Sequence, residues 1–251
     1  MNSYIVRKIF LLFLISFLAL AAVTTASGLM LSRTSTNWAG YAINSIGITA
    51  ISASWSVPEI QCTVTGATNT VTQGVGVWVG IDGLGTAIPE QVGTISQCFN
   101  GSPEYYTFEE DPSISSSSTN HALVAIPETS GGDHIAASIA YLGNDEFQLS
   151  IKDATSDESR TYTVIIHNAA RASAEWIVEA FQMLNTGKQV TLPTFQPITF
   201  SDCTASINNL AGSILQDNAE SITMTDGNGN PIASPQGLNQ SGTSFQVAEV
   251  G

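Results

Sequence analysis

The chain has 251 residues, with 21 acidic side chains against seven basic ones and a formal net charge of -14. Nucleic acid and anionic membrane are excluded as partners on this balance, because both are recognised through clustered Lys and Arg. The length suits one sizeable core in a single all-β domain.

The N-terminus carries Arg7 and Lys8, an apolar run from Ile9 to about Val23, and small residues ending near Ala26. This is the layout of a secretory signal peptide over residues 1–26, so the product is expected to be secreted, without stable membrane association. Residues 27–36 then read as a short extension, and residues 37–251 as one domain, expected to be a monomer. Removing the leader leaves five basic and 21 acidic residues, a net charge of -16. Such a surface repels itself at neutral pH and is largely neutralised at about pH 3–4.

From Asn37 onward, short segments rich in Val, Ile, Thr, Ser, Tyr and Trp alternate with Gly, Asn-Gly, Asp-Gly and Pro. Strands are predicted over Trp38–Ile43, Ile51–Val57, Val75–Ile81, Tyr105–Glu110, His134–Tyr141, Glu146–Ile151, Arg160–Ile166, Ala174–Phe181, Ile198–Ser201, Ser221–Thr225 and Ser244–Val247. That spacing reads as an all-β sandwich. Ser113–Thr119 is a Ser-rich loop, while Thr129–Gly132 and Asn144–Asp145 mark turns. Only Ser206–Gln216 invites a helical turn. Asp226–Asn230 lacks the later glutamate of a calcium loop and reads as a tight hairpin turn.

Three segments carry candidate chemistry. Along Gly76–Gly83, strand alternation puts Val77, Val79 and Ile81 on one face and Gly76, Trp78, Gly80 and Asp82 on the other. Glycines between an indole and a carboxylate open floor space for an extended ligand. Gln91 follows shortly; its amide could donate to a developing oxyanion at a pH where histidine would be charged. In Ala174–Phe181, Glu179 falls on the side of Ile177 and Phe181, opposite Trp176, Val178 and Ala180. Both faces are mainly apolar, so burial should raise the pKa of this carboxyl.

His121, His134 and His167 lie far apart without a metal-ligand spacing. Cys62, Cys98 and Cys203 allow one disulfide, and the sequence by itself permits all three pairings.

The ordered blocks Asn37-Trp38-Ala39-Gly40-Tyr41, Ser54-Trp55-Ser56-Val57-Pro58, Val77-Trp78-Val79-Gly80-Ile81-Asp82-Gly83, Glu90-Gln91-Val92-Gly93, Glu175-Trp176-Ile177-Val178-Glu179-Ala180-Phe181 and Phe200-Ser201-Asp202-Cys203 together resemble the glutamic peptidases, or eqolisins. The resemblance implies an acid-active endopeptidase on a lectin-like, jelly-roll-like sandwich of two large antiparallel sheets. By it, Gln91 and Glu179 match the catalytic pair, and Trp78, Asp82, Glu110 and Tyr106 are expected in or supporting the substrate groove. Where many members read Ala-Trp-Tyr-Glu, this chain reads Thr107-Phe108-Glu109-Glu110. Phe108 thus replaces a tryptophan, and Glu109 is the one-residue alternative to Glu110. The short segment before Asn37 leaves no room for a large propeptide.

The mechanism expected is water activation by Glu179 with Gln91 as oxyanion donor, on polypeptide substrates and with no metal or organic cofactor. A disulfide is expected between Cys62 and Cys98, joining the loop after the Trp55 strand to the loop after Gln91, with Cys203 a buried free thiol. The alternatives are a lectin-like carbohydrate-binding module, with Trp78, Tyr105 and Tyr106 stacking on sugar, or a glycosidase pairing Glu179 with Glu110 or Asp82. No Gly-x-Ser-x-Gly and no Asp-Thr/Ser-Gly pair supports a serine or aspartic protease.

Overall fold

The computed structural model describes residues 30–63, 71–86, 89–110, 129–183, 186–216 and 218–250, and among them the backbone forms strands without any α-helix. The first sheet has the order β7 (Ser102–Glu110), β6 (Glu90–Phe99), β5 (Gln73–Ile81), β11 (Ser173–Glu179), β2 (Trp38–Asn44), β15 (Ala219–Thr225), β16 (Pro231–Pro235) and β17 (Phe245–Glu249). The second runs β10 (Glu158–Ile165), β9 (Glu146–Asp153), β8 (His134–Gly143), β3 (Ile48–Ser56) and β13 (Ile198–Ile207), with β14 (Leu210–Gly212) folded back on β13. A separate ladder joins β4 (Ile60–Gln61) to β12 (Thr194–Phe195).

The two sheets share β13. Its first residues, Ile198–Phe200, pair with β17, whereas from Ser201 onward it pairs with β3, with a register shift between Ser201 and Thr204 where Asp202 has φ 53. A bulge of this kind bends a strand out of one sheet and into the next.

Period-two alternation decides which side chains meet between the sheets. On β11, Ala174, Trp176 and Val178 enter the main core, while Ile177 joins Ala42, Trp78, Ile95, Phe108 and Ile222 in a smaller cluster on the outer face of the first sheet. Two buried indoles also tie the sheets together: Trp176 Nε1 donates to Ser52 O at 2.9 Å and Trp55 Nε1 to Thr94 Oγ1 at 3.0 Å. Each places a large apolar surface in the core without leaving its N–H unpaired.

The structure departs from the sequence-based elements in several places, the short strands β4, β12 and β16 among them. The strand Glu90–Phe99 has no clear hydrophobic period because its polar residues Gln91, Thr94 and Ser96 are themselves buried. Ser206–Gln216 is not helical; β13 ends in a hairpin to β14 around Asn208 and Asn209, both at positive φ, where Asn is tolerated. Leu31–Ser35, within the segment read as an extension, forms β1 and pairs parallel with β15. The leader, Ser113–Thr119 and His121 lie outside the described residues.

Asp226–Asn230 is the hairpin turn expected between β15 and β16: Asp226 Oδ1 accepts the N–H groups of Asn228 and Asn230, both at 2.8 Å. Cys62 and Cys98 form the disulfide, with a Cα–Cα distance of 5.7 Å, although Cys98 belongs to β6 rather than to a loop. Cys203 is free and buried, its thiol pushed up to about 12, chiefly by burial.

Candidate active site

Pairing across the first sheet arranges its outward side chains in rows. One row reads Tyr106, Ile95, Gly76, Glu179 and Trp38; the next reads Phe108, Gly93, Trp78, Ile177 and Gly40; the third reads Glu110, Gln91, Gly80, Glu175 and Ala42. Glycines therefore empty the middle of the face, and the Trp78 indole occupies the space they leave. A Cβ on Gly80 would stand 2.8 Å from the indole ring, and one on Gly93 only 2.2 Å from Val77 O and 2.5 Å from Trp78 Cβ. At Gly76 the nearest atom would be 3.7 Å away, so this glycine leaves open room beside Glu179.

Over this face lies a cavity of about 370 Å³, lined among others by Asn37, Trp78, Gln91, Phe108, Glu110 and Glu179. Ile95, Phe181 and Met183 supply apolar wall. The space suits one or two residues of an extended chain.

Glu179 is partly buried, and both its oxygens are engaged: Oε1 accepts from Asn37 Nδ2 at 2.8 Å and Oε2 from Trp78 Nε1 at 2.9 Å. Asn37 is itself oriented by Ser35, whose Oγ donates to Asn37 Oδ1 at 3.0 Å and accepts from the Trp38 N–H at 3.1 Å. Desolvation raises the Glu179 pKa above its ordinary value. The donors Trp38, Trp78 and Asn37 pull it back, and the charge of Glu110 pushes it up again. Trp38 Nε1 contributes by proximity, since it is buried without completing a hydrogen bond. The result is a carboxyl held in place, with lone pairs left for one further donor.

Gln91 is 5% exposed and opens on the same cavity from β6, two strands away from Glu179. Glu110 sits directly opposite Gln91 on β7 and lines the cavity, whereas Glu109 faces the other side of the sheet, opposite Val92. Of the two glutamates, the register thus puts Glu110 on the cavity side.

Two of the residues expected in or supporting the groove, Asp82 and Tyr106, do not line the cavity. Asp82 is fully buried and does not line the cavity; its Oδ1 and Oδ2 accept the N–H groups of Ala172 and Arg171, both at 2.8 Å, bracing the turn that leads into β11. Tyr106 shares the row of Glu179 but stops short of the cavity, donating its hydroxyl to Glu104 Oε2 at 2.7 Å. Burial, with the neighbouring Glu104, pushes that phenol up to about 12.

Asn37 is a cavity-lining partner of Glu179 to which the sequence reading assigned no role. Its signal was its place two residues after Ser35 and just before a strand, but which carboxylate it meets depends on a pairing 142 residues apart. Glu175, also passed over, is fully buried on the same face as Glu179, and its Oε1 accepts the Leu84 N–H at 3.2 Å.

Residues 36–247 match the model of the peptidase A4 family. Among solved structures, the fold resembles scytalido-glutamic peptidase bound to a transition state analog inhibitor, with a TM-score of 0.71 and 20% identity over 86% of this chain and 98% of that one. It is also similar to SCP-B, a member of the eqolisin family in complex with the tripeptide Ala-Ile-His (TM-score 0.68, 20% identity, 86% of this chain and 98% of that one). Aspergilloglutamic peptidase from Aspergillus niger is similar at a TM-score of 0.60 and 21% identity, over 71% of this chain and 99% of that one. No curated protein matches the chain.

Proposed function

The chain belongs to the peptidase A4 family, and on that premise we propose that it cleaves polypeptides in acid through Glu179 and Gln91, after export from the cell. The observation that carries the dyad is that Glu179, fixed through both its oxygens, and Gln91 line one cavity with glycine-floored space between them.

In this scheme Glu179 as carboxylate takes a proton from a water lying between it and Gln91. The water oxygen bonds to the scissile carbonyl carbon, and the carbonyl electron pair moves onto oxygen, where the Gln91 amide N–H receives it. Glu179 then gives its proton to the departing amine as the C–N bond breaks. Trp78 and Asn37 hold the carboxylate in the orientation this requires. Burial keeps its pKa above the ordinary value, so that it is basic enough to accept a proton and acidic enough to return it.

Family membership favours this scheme over a sugar-binding module or a carboxylate-pair glycosidase, and an amide at Gln91 has no part in glycosidase chemistry. The test is digestion of denatured haemoglobin across the acid range with pepstatin present. Wild type is expected to cleave. Glu179→Gln is expected to fold and to lose hydrolysis, and Gln91→Ala to lose about 10²–10³ in kcat while still binding peptide. Turnover of the Glu179→Gln variant at the wild-type rate would refute the dyad. Export is tested separately, by N-terminal sequencing of the secreted product, which should begin near Ser27.

A further inference from the structure

Glu179 is held in part by an amide whose two ends match in shape but not in chemistry. Asn37 Nδ2 donates to Glu179 Oε1 at 2.8 Å, which supports a carboxylate only while the N–H end faces it. Turned over, the amide would present Oδ1 to the same oxygen, an arrangement that suits a protonated Glu179 and repels an ionised one. The state of the carboxyl thus depends on which end of Asn37 it meets.

Ser35 makes that choice. A hydroxyl has one proton to give and two lone pairs. Ser35 Oγ accepts the backbone N–H groups of Asn37 at 3.3 Å and of Trp38 at 3.1 Å, so both its lone pairs are engaged. Its remaining proton goes to Asn37 Oδ1 at 3.0 Å. A turned amide would set Nδ2 against an oxygen with no lone pair to offer, while Oδ1 faced the Glu179 carboxylate.

The strand that the sequence reading took for an extension sets where Ser35 stands. β1 pairs with β15 in parallel register from Leu31 opposite Glu220 to Ser35 opposite Met224, and Arg33 Nε meets Glu220 Oε2 at 2.8 Å. Beyond β1, Gln189 Nε2 donates to Thr36 O at 2.7 Å, and the Ala180 N–H donates to Asn37 O at 2.9 Å. Ala180 directly follows Glu179. The bend between β1 and β2 is therefore tied to the end of the strand that carries the proposed base.

We propose that Ser35 is a positioning residue: its hydroxyl fixes the Asn37 amide with the N–H end toward Glu179, which makes β1 part of the active site. Around Glu179, Trp38 on β2 and Trp78 on β5 are neutral donors, Gly76 brings no side chain, and Gln182 and Met183 beyond β11 are uncharged. Glu110 on β7 opposes ionisation. Support for the carboxylate thus comes from neutral N–H groups, and the direction in which each one points decides whether it helps. The catalytic consequence rests on the Glu179–Gln91 reading; the orientation of the amide does not.

Ser35→Ala should let the amide turn, so that Glu179 keeps its proton to higher pH. The acid limb of kcat/KM on a peptide substrate should then move up by about half a unit or more, a loss of at least about threefold in activity at the foot of that limb. Ser35→Cys, close in shape but a weak donor, should move the limb the same way, and Ser35→Thr, which keeps the hydroxyl, should leave it in place. In an Asn37→Ala background Ser35→Ala should add no further shift, because Ser35 acts through Asn37. An unmoved limb in the alanine and cysteine variants, or shifts that add in the double variant, would overturn the proposal. The Glu179 carboxyl resonance, followed by NMR in protein carrying isotope-labelled glutamate and assigned with Glu179→Gln, should titrate at higher pH in Ser35→Ala than in wild type. Coincident titrations would overturn the orienting role. If no peptide is cleaved at any pH, the peptidase reading fails, and the NMR titration still decides the role of Ser35.

Discussion

Trp78 donates its indole N–H to Glu179 Oε2 at 2.9 Å while its ring lies across Gly80 and its Cβ stem packs on Gly93. The aromatic residue expected as a groove wall is therefore also a ligand of the proposed base. Trp78→Phe should remove a bond that lowers the Glu179 pKa, so that pKa rises and the acid limb of kcat/KM moves to higher pH. Loss of a hydrogen bond to a charged group, about 1.5–3 kcal/mol, predicts a drop of roughly tenfold or more in kcat/KM at the acid limb. An unmoved acid limb would show that this bond does not tune Glu179.

The glycines of this face divide into two kinds. Gly93→Ala should destabilise by about 1–3 kcal/mol or more in urea unfolding, because the new Cβ meets the Val77 carbonyl and the Trp78 stem rather than a flexible side-chain end. Gly76→Ala meets only ordinary contacts and should leave stability within about 1 kcal/mol of wild type, while crowding the space beside Glu179 and raising KM. Equal destabilisation by both would contradict the division.

The Cys62–Cys98 bond closes a loop with a sequence separation of 36, anchoring the segment after β4 to the strand that carries Gln91. Replacing both cysteines by serine should cost about 3–4 kcal/mol of unfolding free energy. Non-reducing peptide mapping should show this pair, with Cys203 reactive only after unfolding.

Stability should be greatest in acid. Glu175 and Glu179 both have folded pKa values raised above the ordinary 4.5, first by burial. A raised group contributes stability that is fully present below its unfolded pKa and is lost as pH rises through the folded value. Asp157 and Asp226 are shifted the opposite way, but they are fully exposed and weakly coupled to folding. With a net charge of -14, the melting temperature should fall from about pH 4 to pH 7, and salt should restore part of the loss at neutral pH. Differential scanning calorimetry showing a steady rise over that range would exclude acid adaptation.

Strand alternation in residues 174–181 was enough to set Glu179 against Trp176 on opposite faces, because a period of two is a local property of the backbone. The glycine spacing around Trp78 was legible for the same reason, and the ordered blocks identified the family. Only the tertiary structure could show that Glu110 and not Glu109 faces the cavity, since that is a matter of cross-strand register, and only it could show that Asp82 braces the turn before β11. The same holds for bringing Gln91, Asn37 and Glu179 to one cavity and Leu84 to Glu175. These contacts join residues far apart in the chain, where side-chain alternation along each strand carries no information about which strand lies alongside.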